Sequence, residues 1–161
     1  MAHRIFIDDS GLVSTAQLSR IKTNLLIGLD YIAQTESVNQ SAQFELSVSF
    51  IDDTSIQKIN HEFRNKDQPT DVLSFSQFEG ESTPTPDNVQ PLGDLVISIE
   101  TAQRQAIEIG HSLEFEVTRL LVHGLYHLIG YDHELSIESE QEMQSLEDQL
   151  LNLLEEKGEI L

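Results

Sequence analysis

His123-Gly124-Leu125-Tyr126-His127-Leu128-Ile129-Gly130-Tyr131-Asp132-His133 carries three of the chain's six histidines in eleven residues. His123 and His127 are four apart, which on a helix puts them on one face, one turn apart. Gly130 supplies the residue that can turn left-handed and end that helix. The chain then bends back, so that His133 can reach the same point in space. Three converging imidazoles in a chain without cysteine describe an open site for zinc or a similar divalent ion. Three protein ligands leave a fourth position for water, the arrangement of a catalytic rather than a structural site. The competing reading is a solvated or core histidine cluster. The helix-breaking glycine between the second and third histidines weighs against it.

The spacing is similar to that of the metzincin proteases, H-E-x-x-H-x-x-G-x-x-H, whose glutamate beside the first histidine is the general base. Gly124 stands in that glutamate's place. The cage therefore resembles a metzincin's while the base is missing or comes from elsewhere, and a peptidase reading loses most of its weight.

Outward from this stretch, residues 113–129 read as one helix, with Val117, Leu120, Leu121 and Leu128 as its core positions. Gly110 stops a preceding helix over 100–109. Residues 92–99 are a strand with a near-continuous apolar run, which implies burial on both faces. Residues 79–90 have too little apolar surface to pack and read as a mobile surface loop. Residues 71–78 are strand-like, and Phe44, Leu46, Val48 and Phe50 alternate as a half-buried strand should. Between those two strands Asp52, Asp53 or Thr54 caps a helix with Ile56, Ile59 and Phe63 as its stripe. A short strand over 4–8 precedes a helix opened by the capping box Ser14-Thr15-Ala16-Gln17. After His133, Ser136 caps a long acidic helix with Ile137, Met143, Leu146, Leu150 and Leu153 facing inward, its acids read as a solvated face.

The fold expected is α+β: one domain over 1–161, a single small mixed four-stranded sheet covered by helices, with the metal site on a helix and the following turn. Helices link the first three strands, which favours parallel crossovers, and the fourth returns antiparallel.

The chain has 28 acids against 9 Lys plus Arg, a formal charge of −19. Such a surface repels polyanions at long range, although a bound dication and a few local arginines can make one cleft positive on an acidic body. There is no cysteine or tryptophan, which removes thiolate sites and redox chemistry. No signal peptide or membrane-length apolar run is visible, so a soluble cytoplasmic protein is expected.

Arg64 falls at a helix end. There it either complements the helix dipole or forks onto a phosphate or developing oxyanion. Asp71 and Asp94, read as strand-start residues, and Asp132, beside a ligand, are turn or capping residues in the plainer reading. Each is also a candidate to orient a histidine or handle a proton. His3, His61 and His111 stand singly and are not expected to be ligands.

Three stretches together resemble the YbeY family of bacterial endoribonucleases and ribosomal RNA maturation factors. The first spans residues 59–75, with Asn60, Phe63-Arg64, Asp67 and Pro69-Thr70-Asp71-Val72-Leu73-Ser74-Phe75. The second is Leu92-Gly93-Asp94-Leu95-Val96-Ile97-Ser98, and the third is the histidine stretch, with Tyr126 where the family usually has leucine. The resemblance implies a metal-dependent endoribonuclease that processes ribosomal RNA, especially at the small-subunit 3′ end, and acts in ribosome quality control. It implies zinc on His123, His127 and His133, and Arg64 as a functional basic residue. Single-stranded RNA is the expected substrate, since a buried metal does not reach a phosphate hidden in a duplex. The partners implied are small-subunit precursor RNA and, on the strength of the acidic surface, ribosomal proteins. The alternatives are a ribosome-assembly binding factor with a mainly structural metal, and a hydrolase of another ester or amide bond.

Overall fold

A computed structural model describes residues 3–36, 43–77, 88–132 and 134–157. Its elements run β1 (Arg4–Asp8), α1 (Thr15–Thr35), β2 (Gln43–Ile51), α2 (Asp53–Arg64), β3 (Val72–Ser76), β4 (Val89–Ser98), α3 (Ile99–Ile109), α4 (Leu113–Leu128) and α5 (Ile137–Lys157). Local chemistry sets most of the ends. Ser14 and Gln17 close the capping box on α1. Of the three candidates for α2, Asp52 is the cap, accepting from the Ser55 N–H. Ser98 and Ser112 cap α3 and α4 in the same way. Each cap oxygen satisfies a backbone N–H that has no partner within its helix. Gly110, at φ 90°, closes α3 in the left-handed conformation that a residue without Cβ adopts at little cost.

The strands form one mixed sheet in the order β1-β2-β4-β3. β1 and β2 are parallel, as are β2 and β4, while β3 and β4 are antiparallel. The first helical crossover is therefore parallel, as expected. The second is not. β3 follows α2 but runs opposite to β2, and β4 returns between them, parallel to β2. The reason lies in the two strands. β4 carries the long apolar run and is buried along most of its length, whereas β3 is five residues with alternating serines and suits an edge.

One face of the sheet meets α1, α4 and α5 in the main core, built around Phe44, Leu46, Val48, Phe50, Leu95 and Ile97. The other carries a smaller cluster beneath α2, with Ile56, Leu73 and Val96 buried and Ile51, Ile59 and Phe75 packed against them. β4 contributes to both, as its composition predicts. It starts earlier than expected: Val89 and Gln90 are buried strand residues, so the loop reading fails there, and residues 78–87 lie outside the described residues. Two side chains read as inward are not. Phe63 and Ile137 are 62% and 74% exposed.

Two close approaches fix how strands and helices meet. A Cβ on Gly93, at φ 135°, would lie 2.1 Å from the Phe75 carbonyl oxygen. This is where β4 carries an extra residue against β2, between the Pro91 and Gly93 pairings. A Cβ on Gly124 would lie 2.6 Å from Leu95 Cδ2, so α4 rests directly on the central strand. Among the described residues no helix is long and apolar enough to cross a membrane.

Candidate metal centre

α4 buries Val117, Leu120, Leu121, Gly124, Leu125 and Leu128 against the sheet and its helical neighbours. His123 and His127 share a less buried stripe. Their ring centroids are 4.5 Å apart and their planes cross at 80°. Their Nε2 atoms stand 3.1 Å apart, at hydrogen-bonding distance. Two imidazole nitrogens bound to one tetrahedral zinc at about 2.0–2.1 Å stand about 3.3 Å apart. The pair is thus set, to within a few tenths of an ångström, at the bite of a shared cation.

The opposite side of the His123 ring is also held. Its Nδ1 forms a short hydrogen bond with Glu147 Oε1, a buried carboxylate on α5. With Nδ1 donating to the carboxylate, the ring is fixed in the tautomer whose Nε2 lone pair faces His127. Metal-binding histidines are ordinarily oriented this way. Imidazole backed by carboxylate is a donor set that suits zinc. Among the described residues no third His, Cys, Asp or Glu joins the pair in a metal-holding group. His133 lies outside the described residues. The turn leading to it has the expected form: Gly130 is left-handed at φ 111°, and Tyr131 N–H reaches back to the Tyr126 carbonyl at 3.0 Å.

The other candidates separate. Asp132 accepts from the Glu134 N–H at 2.8 Å and is an exposed turn residue. Asp71 precedes β3. It binds its own chain at Val72 N (2.7 Å), and its second oxygen accepts from Gln105 Nε2 at 3.2 Å. Asp94 is not at a strand start but within β4, paired with Ser47 and Phe75. The earlier start of β4 moves it inward. Arg64 donates from Nη2 to the Ser74 carbonyl at 2.6 Å and lies over the Phe75 ring, 5.3 Å from its centroid. That places it on the edge strand. The same strand reaches α4 through Ser76, whose hydroxyl donates to the carbonyl of Leu128, the residue after His127, at 2.8 Å.

His3 and His111 have structural partners. His3 Nδ1 accepts from the Phe44 N–H at 3.0 Å and its Nε2 meets Asp30 at 2.8 Å. His111 Nε2 meets Glu116 at 3.0 Å. His61 stands exposed on α2. Gly124, where a metzincin would carry its base, is a packing residue. Its missing side chain is what lets α4 seat on Leu95.

Two acids were not read from the sequence. Glu147 is buried in α5, in step with Met143, Leu150, Leu151 and Leu154, so its signal was a carboxylate occupying a position of the apolar stripe. Glu116 is fully buried and is held by Arg119 as well as His111. Arg119 lies one turn before His123 on the same side of α4. Burial works against its charge, but the hydrogen bond and charge of Glu116 outweigh that and raise its pKa. Tyr126 is wholly buried, edge-on to Tyr131 at 5.7 Å. Its hydroxyl has no hydrogen-bond partner among the described residues, and burial raises its pKa.

Comparison with known proteins gives a consistent result. The family model described as Endoribonuclease YbeY matches residues 12–155. The chain is 50% identical over 113 residues to an endoribonuclease YbeY from Aquifex aeolicus, covering 68% of this chain and 70% of that protein. It is 40% identical over 148 residues to one from Macrococcus caseolyticus, covering 91% and 92%. The solution structure of the Thermotoga maritima protein TM1509 shares the fold, with a TM-score of 0.60 at 24% identity over 91% of this chain and 86% of that one.

Proposed function

The chain belongs to the endoribonuclease YbeY family, and from that premise we propose that it is a metal-dependent endoribonuclease cutting single-stranded RNA at a tri-histidine centre of His123, His127 and His133. The observation that carries the metal reading is the 3.1 Å convergence of the His123 and His127 Nε2 atoms, with Glu147 on the far side of the His123 ring.

His123 and His127 would hold zinc, or another divalent transition metal, from α4, and His133 from the turn after Gly130. Such an ion supplies Lewis-acid polarisation of a phosphoryl oxygen and a water acidic enough to ionise near neutral pH. Glu147 keeps the proton of His123 on Nδ1 and so keeps Nε2 available as a ligand. Arg64, still carrying N–H groups beyond the one used on Ser74, offers a fixed cation for RNA phosphate and for charge that grows on it. Asp71, Asp94 and Asp132 remain the carboxylates proposed to orient a histidine or handle a proton. Small-subunit precursor RNA is the proposed substrate and ribosomal proteins the proposed contacts, in the cytoplasm.

The test is cleavage of a single-stranded RNA by the full chain, before and after metal removal, beside His127→Ala purified identically. Activity should vanish on chelation, return with metal, and be absent in the variant. Undiminished cleavage by metal-free protein would overturn the reading.

A further inference from the structure

Phe63 is out of place on so acidic a surface: a large aromatic, 62% exposed, in the last turn of α2. Its ring and that of Phe75 meet edge to face, centroids 5.4 Å apart at 70°, and the Phe75 ring in turn lies 5.3 Å from the Arg64 guanidinium carbon. The group is rigid. Asn65 ends the helix at φ 57°, with its N–H on the His61 carbonyl at 3.1 Å and Lys66 N–H on Asn60 at 3.3 Å. The buried Asn60 side chain donates to the Gln68 carbonyl at 2.9 Å and fixes the turn beyond. A ligand meeting Phe63 and Arg64 therefore need not order the backbone that carries them.

Cations are locally denser here than over the chain as a whole. Lys58, Arg64 and Lys66 are three of the chain's nine Lys and Arg, and they stand among the acids Glu62 and Asp67. An exposed aromatic beside a guanidinium is suited to an unpaired nucleobase: the base stacks on the ring while a flanking phosphate meets the cation. An apolar protein partner would have no use for those cations. Phe63 and the histidine helix lie on opposite faces of the sheet, with the β3 edge between them. Phe75 packs on the α2 side of the sheet, and Ser76, next along the same edge strand, is bonded to the end of α4.

We propose that Phe63, backed by Phe75 and Arg64, is a stacking platform for one unpaired nucleobase of a single-stranded RNA that crosses the β3 edge toward the histidines. The proposal rests on the ribonuclease reading above. The test uses the full chain in chelator, so that nothing is cut, and short single-stranded RNAs with 2-aminopurine placed at successive positions. Binding is read by anisotropy and stacking by quenching. Wild type should bind with quenching concentrated at one position. Phe63→Leu, apolar but without a π face, should bind about tenfold more weakly and lose that quenching, while Phe63→Trp should keep both. Circular dichroism and melting check the fold of each variant. Should Phe63→Leu prove unfolded, Phe63→Trp decides through its indole emission, which supports the proposal if RNA quenches it and overturns it if not. A folded Phe63→Leu that binds and quenches like wild type overturns the platform. Wild type binding no single-stranded RNA overturns both readings. RNA binding with Phe63-dependent quenching, but no cleavage after metal is restored, leaves the platform standing and removes only the metal-dependent chemistry.

Discussion

At the scale of single residues, Glu147 illustrates how one carboxylate can decide the behaviour of a site to which it contributes no proposed ligand. Its contact with His123 Nδ1 holds the ring, and as an acceptor there a carboxylate favours the tautomer with the proton on Nδ1. Glu147→Ala should therefore weaken zinc binding about 10- to 100-fold, measured by competition with a chromogenic chelator, with Glu147→Asp recovering part of the loss. Unchanged zinc affinity would show that the ring is positioned by something else. Tyr126 presents the opposite case, a buried hydroxyl without a hydrogen-bond partner among the described residues. Tyr126→Phe keeps the ring against Tyr131 and removes the polar atom. The variant should be as stable as wild type or up to about 1 kcal/mol more stable in urea unfolding, and a clear loss of stability would reveal a partner for that oxygen.

At the scale of elements, the seat of α4 on β4 depends on Gly124. In an exposed helix Gly→Ala gains about 1 kcal/mol. Here the added methyl meets the buried Leu95 side chain at 2.6 Å, and overpacking of a filled core costs about 1–3 kcal/mol. Gly124→Ala should thus lower stability, read as a lower urea midpoint, and displace the histidines with the helix. The α2–α3 junction has its own pH signature. Asp53 accepts from Ser98 and Thr101 hydroxyls at 2.6 Å each and from Arg104 at 2.8 Å. Burial opposes its ionisation, but those hydrogen bonds and the Arg104 charge prevail and hold its pKa at about 2, below the ordinary 3.8. A depressed carboxyl stabilises the fold fully above 3.8 and loses that contribution as pH falls through about 2. Acid unfolding of wild type should therefore steepen in that window, and Asp53→Asn should flatten it there.

Helices and their caps were legible because each is a local pattern: Ser14 with Gln17, Gly110 and Gly130 as stops, and the stripe of α4. The direction of β3 was not. Nothing within residues 72–76 states which neighbour it pairs with, and that choice is settled by the covering that β4 needs. Glu147 was missed for a related reason. A carboxylate inside an apolar stripe shows that a partner is required, yet the partner, His123, lies 24 residues away.

At the scale of the molecule, an acidic body of formal charge −19 must meet RNA through a small basic region. Three cations, Lys58, Arg64 and Lys66, give a shallow salt dependence. The logarithm of the binding constant should fall with log salt at a slope of about −2, from about 0.7 per phosphate neutralised on a single strand. A much steeper slope, found by titration across a salt series, would mean that other basic surface is used. The account as a whole stands on a single cation shared by three imidazoles. X-ray absorption at the metal edge of the purified chain measures this most directly. The prediction is one ion per chain with three nitrogen ligands at about 2.0–2.1 Å and a further light-atom ligand. A chain purified without stoichiometric metal that still cuts RNA, or an ion with fewer than three nitrogen ligands, would contradict it.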